Sequence, residues 1–194
     1  MNIIASITGK RGSGKSHFLI HTILTRYNGR IIVYDPECNP MYIANGFSIL
    51  PFAKSWRNLK AGKYIITHPN AEEVFIKLYS QIRNAVIVFE DFRRYTGAKF
   101  SQPLLNLLIS CKTANNDIYT VAHAWGFIPL DLHRFCDIYI SLKTNDFPEE
   151  IREVSDCYKD LFALYEYVKQ SPDEHAVGVV QRGKAFVPPI KKSR

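Results

Sequence analysis

One octapeptide constrains this chain more than any other feature. Residues 9–16 read Gly-Lys-Arg-Gly-Ser-Gly-Lys-Ser, the pattern G-x-x-x-x-G-K-[ST] of a Walker A phosphate loop. The flanks are those such a loop requires. Residues 2–8 (NIIASIT) are apolar and β-branched and read as a buried strand. Residues 15–27 (KSHFLIHTILTRY) carry Phe18, Ile20, Ile23 and Leu24 at helical spacing. The loop glycines Gly9, Gly12 and Gly14 let successive N–H groups turn inward toward phosphate oxygens. The helix that begins near Lys15 adds the partial positive charge of its N-terminus. In such a loop Lys15 reaches the β- and γ-phosphates and the Ser16 hydroxyl ligates Mg²⁺. Lys10, Arg11, Ser13 and His17 complete the expected nucleotide-contacting stretch.

The rest of the chain alternates strands with helices. Strands are expected at 30–34 (RIIVY), 63–67 (KYIIT), 85–90 (AVIVFE), 118–122 (IYTVA) and 137–142 (DIYISL). Helices are expected after Asn70 (AEEVFIKLYSQI), over 104–112, and as one longer helix over 149–169. Residues 176–187 (AVGVVQRGKAFV) read as a hairpin turning at Arg182-Gly183, and the terminal KKSR as a short basic tail. Residues 36–62, with Pro, Asn, Gly and a lone Trp56, read as an irregular surface excursion. This pattern predicts an α/β fold with a mostly parallel sheet, helices on both faces and a C-terminal β-hairpin. No linker divides residues 1–194, so one domain is expected.

A phosphate loop of this kind needs a carboxylate on a neighbouring strand. Residues 86–91, Val-Ile-Val-Phe-Glu-Asp, supply two acids at a strand's carboxyl end, the edge at which α/β sheets bind ligands. By position Glu90 is the metal-side acid, with Ser16, and Asp91 is the acid that polarises the attacking water. His123 follows the strand 118–122 and either senses the γ-phosphate or caps the strand. Asp35 either makes an Asp-Pro turn or assists the magnesium shell. Arg93, Arg94 and Arg134 are candidate arginine fingers or plain surface arginines. Trp56 and Trp125 read as packing residues.

Composition narrows the function classes. Hydrophobic residues are 46% and charged residues 22% of 194, the balance of a packed globular chain rather than a disordered one. Cys38, Cys111, Cys136 and Cys157 are scattered, which excludes a zinc ribbon and argues for a reducing compartment. No apolar run reaches the roughly 18 residues of a membrane span, and the N-terminus lacks the signature of a secretion signal, so a cytoplasmic protein is expected. A net charge of +7 suits a polyanionic partner. Lys54, Arg57, Lys60 and Lys63 in the irregular region are candidate nucleic-acid contacts.

Together GKRGSGKS, YDPE after the second strand, VIVFED, and VAHAWGFIPLDLHRFCDIYISLKT resemble the HerA–FtsK superfamily of P-loop ATPases. In length and layout the likeness is to the small viral and phage genome-packaging ATPases, over about residues 2–143. The resemblance implies a RecA-like core that binds ATP and Mg²⁺, a homo-oligomeric ring, DNA moved through it without regard to sequence, and a capsid or portal vertex as a further partner. It places Gly14, Lys15 and Ser16 on the nucleotide, Glu90 and Asp91 on metal and water, and His123 at the sensor position, where the family commonly has glutamine. Such a motor works in the host cytoplasm or at the virion vertex. Two other readings share the loop. A nucleotide kinase needs an arginine-rich lid that the sequence does not display, and a filamentous-phage assembly ATPase of the zonula-occludens-toxin type usually adds a membrane helix.

Overall fold

The computed structural model describes residues 2–97 and 99–188; the KKSR tail lies outside them. In chain order the elements are β1 (Ile4–Thr8), α1 (Lys15–Phe18), β2 (Arg30–Tyr34), α2 (Pro40–Ala44), β3 (Ser48–Ile49), β4 (Gly62–Ile66), α3 (Ala71–Gln81), β5 (Ala85–Phe89), α4 (Gln102–Ser110), β6 (Asp117–Ala122), β7 (Ile138–Ser141), α5 (Ile151–Val154), α6 (Tyr158–Gln170) and β8 (Gly178–Gln181). They form one eight-stranded sheet in the order β3-β4-β2-β5-β6-β1-β7-β8. Every pairing is parallel except that of β7 with β8.

The strands are continuous apolar runs because both faces of the sheet are covered. Along β2, Ile32 and Tyr34 join a core with Val74, Phe75 and Leu78 of α3 and Leu104 and Leu108 of α4. Ile31 and Val33 point the other way, into a core with Leu19, Ile20, Leu24, Tyr42 and Phe47. The helices carry their own stops. Asn70 caps α3 by accepting from the amides of Glu72 and Glu73, and Arg83 donates to the carbonyls of Tyr79 and Ile82 at the other end.

Four departures from the sequence reading have physical causes. The first helix extends from Lys15 to Arg26 but is α-helical only to Phe18; a π turn (Leu19–Ile23) and a 3-10 turn (Leu24–Arg26) complete it. The helix expected over 149–169 is broken. Ser155 is extended (φ −113°, ψ 120°), which ends α5 and leaves Asp156 beside Arg182 at 2.9 Å. The antiparallel arm at the C-terminal end is β8 laid on β7, and the turn falls at Arg182–Gly183 as read. Beyond it the chain leaves the sheet: the Phe186 amide donates to Asp160 and its ring packs on Tyr167 of α6.

The fourth departure is the segment 36–62, which is no loose excursion. It contains α2 and the edge strand β3, and it buries Trp56 completely. Trp56 donates from its amide to Gln81 Oε1 (2.7 Å) and from Nε1 to Pro51 O (3.2 Å), with Lys77 Nζ 4.5 Å from its ring centroid. Trp56→Ala should therefore lower the unfolding free energy by about 3–5 kcal/mol, the usual range for a large buried aromatic. The urea midpoint reads this directly; a loss below about 1 kcal/mol would mean that the segment is not part of the core.

Candidate nucleotide site

Four strand ends meet at one edge of the sheet. β2, β5, β6 and β1 are consecutive parallel neighbours, with Tyr34 beside Phe89, Phe89 beside Thr120, and Ala122 beside Thr8. The residues that follow them therefore leave together: Asp35, Glu90 and Asp91, His123, and the loop from Gly9. β6 separates the loop strand from the carboxylate strand, which sets His123 between the two.

The loop is a closed turn with its lysine inside. The Lys10 amide donates to Lys143 O (2.7 Å), the Ser13 amide to Lys10 O (3.1 Å) and the Phe18 amide to Gly14 O (2.8 Å). Gly9 is required by close approach: a Cβ there would lie 2.7 Å from Ser13 Oγ and 2.9 Å from Leu142 Cβ. Gly14, the N-cap of α1, sits at φ +90°, a conformation that side chains resist. Lys15 is buried and its ammonium donates to Gly9 O (2.6 Å) and Lys10 O (3.0 Å). Burial lowers its pKa, and the charges of Glu90 and Asp91 oppose that shift. Ser13 Oγ is buried with no hydrogen-bond partner. Arg11 is exposed at the loop, and His17 is exposed with its ring against His21 (centroids 4.4 Å).

The two acids have different environments. Glu90 Oε1 accepts from Ser16 Oγ (3.1 Å) and also from the Tyr42 phenol. Burial drives the Glu90 carboxyl above its ordinary range, against those two hydrogen bonds and the charge of Lys15. Asp91 adopts a left-handed backbone (φ 48°, ψ 53°), a conformation that costs a non-glycine residue free energy. This turns its carboxylate to within 3.9 Å of His123 Nε2 on one side and 3.9 Å of Arg94 Nε on the other. Burial and the Lys15 charge hold the His123 imidazole below its ordinary value, with Asp91 pulling the other way.

The remaining candidates divide. Asp35 makes its turn: its carboxylate accepts from the amides of Glu37 (3.1 Å) and Asn39 (2.8 Å). Arg94 pairs with Glu37. Arg93 donates to Gly97 O (3.1 Å) and lines a separate cleft of about 430 Å³ with Trp125, Ile128 and Leu130. Arg134 contacts Asp131 at 3.7 Å and is largely exposed. Lys54, Arg57 and Lys60 are exposed, whereas Lys63 donates to Asn45 O (3.3 Å). Trp56 and Trp125 are fully buried, as packing residues are.

Sequence reasoning missed three residues. Tyr42 comes from the segment read as irregular, in no motif. Glu174 and His175 precede β8. Glu174 bridges Lys10 and Lys143 at 3.1 Å each, which lowers its own pKa, and His175 Nδ1 lies 3.4 Å from Ser13 O. Only the fold brings them to the loop.

Strand–loop–helix geometry, a parallel sheet and paired acids two strands away are the architecture of a P-loop NTPase. No protein-family model and no curated protein sequence matches the chain. Among solved structures it is similar to the genome-packaging NTPase B204 of Sulfolobus turreted icosahedral virus 2. In complex with AMP that protein superposes with a TM-score of 0.72 at 15% identity, over 93% of this chain and 92% of that one. In complex with ATP-gammaS it gives 0.71 at 13% identity, over 96% and 98%. B204, the DNA-packaging ATPase of Sulfolobus turreted icosahedral virus, gives 0.68 at 14% identity, over 93% and 94%. At these identities the likeness is one of fold, and it is the fold that the HerA–FtsK resemblance implied.

The residues present fit a magnesium nucleotide. The loop carries an unpartnered buried hydroxyl and a buried ammonium whose partners are only its own carbonyls. Ser16 gives its hydrogen to Glu90, which leaves the hydroxyl lone pairs for a cation. Among the described residues no three His, Cys, Asp or Glu side chains gather into a metal cluster. A cation here would depend on Ser16, Glu90 and the nucleotide's own oxygens.

The raised Glu90 carboxyl has a consequence for stability. The folded protein holds that proton more tightly than the unfolded chain. The stability so conferred is complete below the ordinary pKa of 4.5 and is lost as pH rises through the folded value. Glu90→Gln removes this loss. Relative to the native chain, the metal-free variant should gain urea resistance on going from about pH 4 to about pH 8. Parallel stability profiles for the two would show that the carboxylate carries no such penalty.

Proposed function

We propose that this protein is a Mg²⁺-dependent ATPase, a single domain over residues 1–194, that moves DNA through a homo-oligomeric ring in packaging a viral genome. The observation that carries the reading is the hydrogen bond between Ser16 of the loop and Glu90 of β5, which joins the phosphate cradle to the carboxylate that such a cradle needs. Solved structures of similar fold include genome-packaging NTPases with adenine nucleotides bound.

In this reading the loop amides left free between Arg11 and Ser16, with Lys15, hold the β- and γ-phosphates, and Ser16 and Glu90 hold the cation. When bound, Mg²⁺ neutralises charge on those phosphate oxygens. Asp91 orients a water and takes its proton as the water oxygen bonds to the γ-phosphorus and the bond to the β-phosphate oxygen breaks. His123, neutral and beside Asp91, senses the γ-phosphate. Of the three candidate fingers, Arg94 is held by Glu37 and Arg93 by Gly97, so Arg134, 69% exposed with one contact at 3.7 Å, is the one most available to a neighbouring subunit. The exposed Lys54, Arg57 and Lys60 and the net charge of +7 suit phosphate contacts, which are indifferent to sequence. No helix among the described residues is long and apolar enough to cross a membrane. The site of action is the host cytoplasm or the vertex of the particle, with a capsid or portal protein as partner.

ATP hydrolysis measured with and without DNA tests the proposal. Turnover should rise with added DNA. Lys15→Ala should abolish nucleotide binding and turnover together. Asp91→Asn should keep nucleotide binding and slow turnover by about 10²–10⁴-fold, the usual contribution of a general base. Transfer of phosphate to a nucleoside monophosphate with no response to DNA would replace the motor with a kinase.

A further inference from the structure

Tyr42 is a fully buried phenol whose hydroxyl ends on a carboxylate. The oxygen it meets, Glu90 Oε1, is the one that also accepts from Ser16 (3.1 Å). Glu90 Oε2 takes no hydrogen bond from the described residues. Two hydroxyls therefore fix one carboxylate oxygen, and a carboxylate held at a single oxygen has its rotation set and its second oxygen free.

The ring is delivered by a structure with several independent supports. Asp35, at the end of β2, holds the turn through the Glu37 and Asn39 amides at 3.1 and 2.8 Å. Asn39 then caps α2, accepting from the Met41 amide (3.0 Å), and Pro40 starts the helix. Phe47 packs edge-on against the Tyr42 ring (centroids 5.1 Å), and its amide donates to Tyr42 O (3.1 Å). A phenol buried among apolar groups needs a partner, and a carboxylate gives it a charge-assisted bond.

We propose that Tyr42 is a positioning residue of the cation site: its hydroxyl, presented by α2, sets the orientation of Glu90 so that Ser16 and the free carboxylate oxygen serve one divalent ion. The inference rests on the nucleotide–cation site proposed above and assigns to residues 36–62 a role in that site. Tyr42 acts through Glu90 and touches no reacting atom. It belongs to the outer shell of a metal site, whose loss typically weakens the metal by about 10–100-fold.

The probe is Mn²⁺, titrated by electron paramagnetic resonance into the protein with a non-hydrolysable ATP analogue. Tyr42→Phe keeps the ring and removes only the hydroxyl. Its Mn²⁺ dissociation constant should rise about 10–100-fold, while affinity for the analogue in the absence of metal stays at the native value. Asn39→Ala keeps the phenol and loosens its helix, and should weaken Mn²⁺ in the same direction, so the test survives if Tyr42→Phe does not fold. In the metal-free protein, the stability changes of Tyr42→Phe and Glu90→Gln should be non-additive, as for two groups sharing one bond. Native Mn²⁺ affinity in both Tyr42→Phe and Asn39→Ala overturns the proposal even if both are less stable, since the contact would then be structural alone. Failure of the native protein to take up Mn²⁺ with the analogue overturns the nucleotide-site reading itself.

Discussion

The site is organised by a buried ammonium group. Lys15 is 6% exposed and its hydrogen bonds end on two carbonyls of its own loop. A buried cation is tolerated only where dipoles and opposite charge replace water. Here the carbonyls of Gly9 and Lys10 supply the dipoles, and Glu90 and Asp91 supply the charge from another strand. That requirement couples distant parts of the chain. The carboxylates reach Lys15 only if β5 stands two strands from β1, with β6 between them. Strand order, loop conformation and the position of the acids are thus one arrangement rather than three.

The acids divide their surroundings as sharply as their proposed roles. Glu90 is enclosed by hydroxyls, with Ser16 and Tyr42 on one oxygen. Asp91 is enclosed by nothing so close: the nearest side-chain nitrogens, on His123 and Arg94, stand at 3.9 Å. An acid that is to hold an ion gains from fixed orientation. An acid that is to receive a proton gains from room to reach it. The left-handed backbone at Asp91 separates the two side chains, so adjacent residues on one strand end serve different environments.

Much of this was legible in the chain. GKRGSGKS names its own conformation because few sequences tolerate φ +90° at Gly14 and the crowding at Gly9. VIVFED is legible for the same kind of reason, since four apolar residues followed by two acids describe a buried strand leaving the core. The strands and helices in between followed from periodicity and from Asn70-type caps. What escaped was decided by tertiary contact. Tyr42 lies in a stretch with no period, and its contact with Glu90 joins residues far apart in the chain; Trp56 was read as a packing residue, but the folding of its stretch against α3 was not. The break at Ser155 lies within a helical pattern, and the Asp156–Arg182 pair beside it joins residues far apart in the chain. Glu174 and His175 reach the loop only because β8 returns along β7.

The unfavourable terms in this structure concentrate where the ligand would sit. Ser13 Oγ is buried without a partner, Lys15 and Glu90 are charged groups drawn out of water, and Asp91 holds a strained backbone. None of these stabilises the folded chain for its own sake. The sheet carries them: seven strands are paired in parallel register, and two apolar cores close its faces. A polyphosphate and its cation would supply acceptors to Ser13 and Lys15 and a positive charge to Glu90. Each of those groups would then exchange an imperfect internal partner for a matched external one. A site built from groups that the protein satisfies poorly by itself is preorganised for something else to satisfy them, and in the function proposed above that something is a magnesium nucleotide.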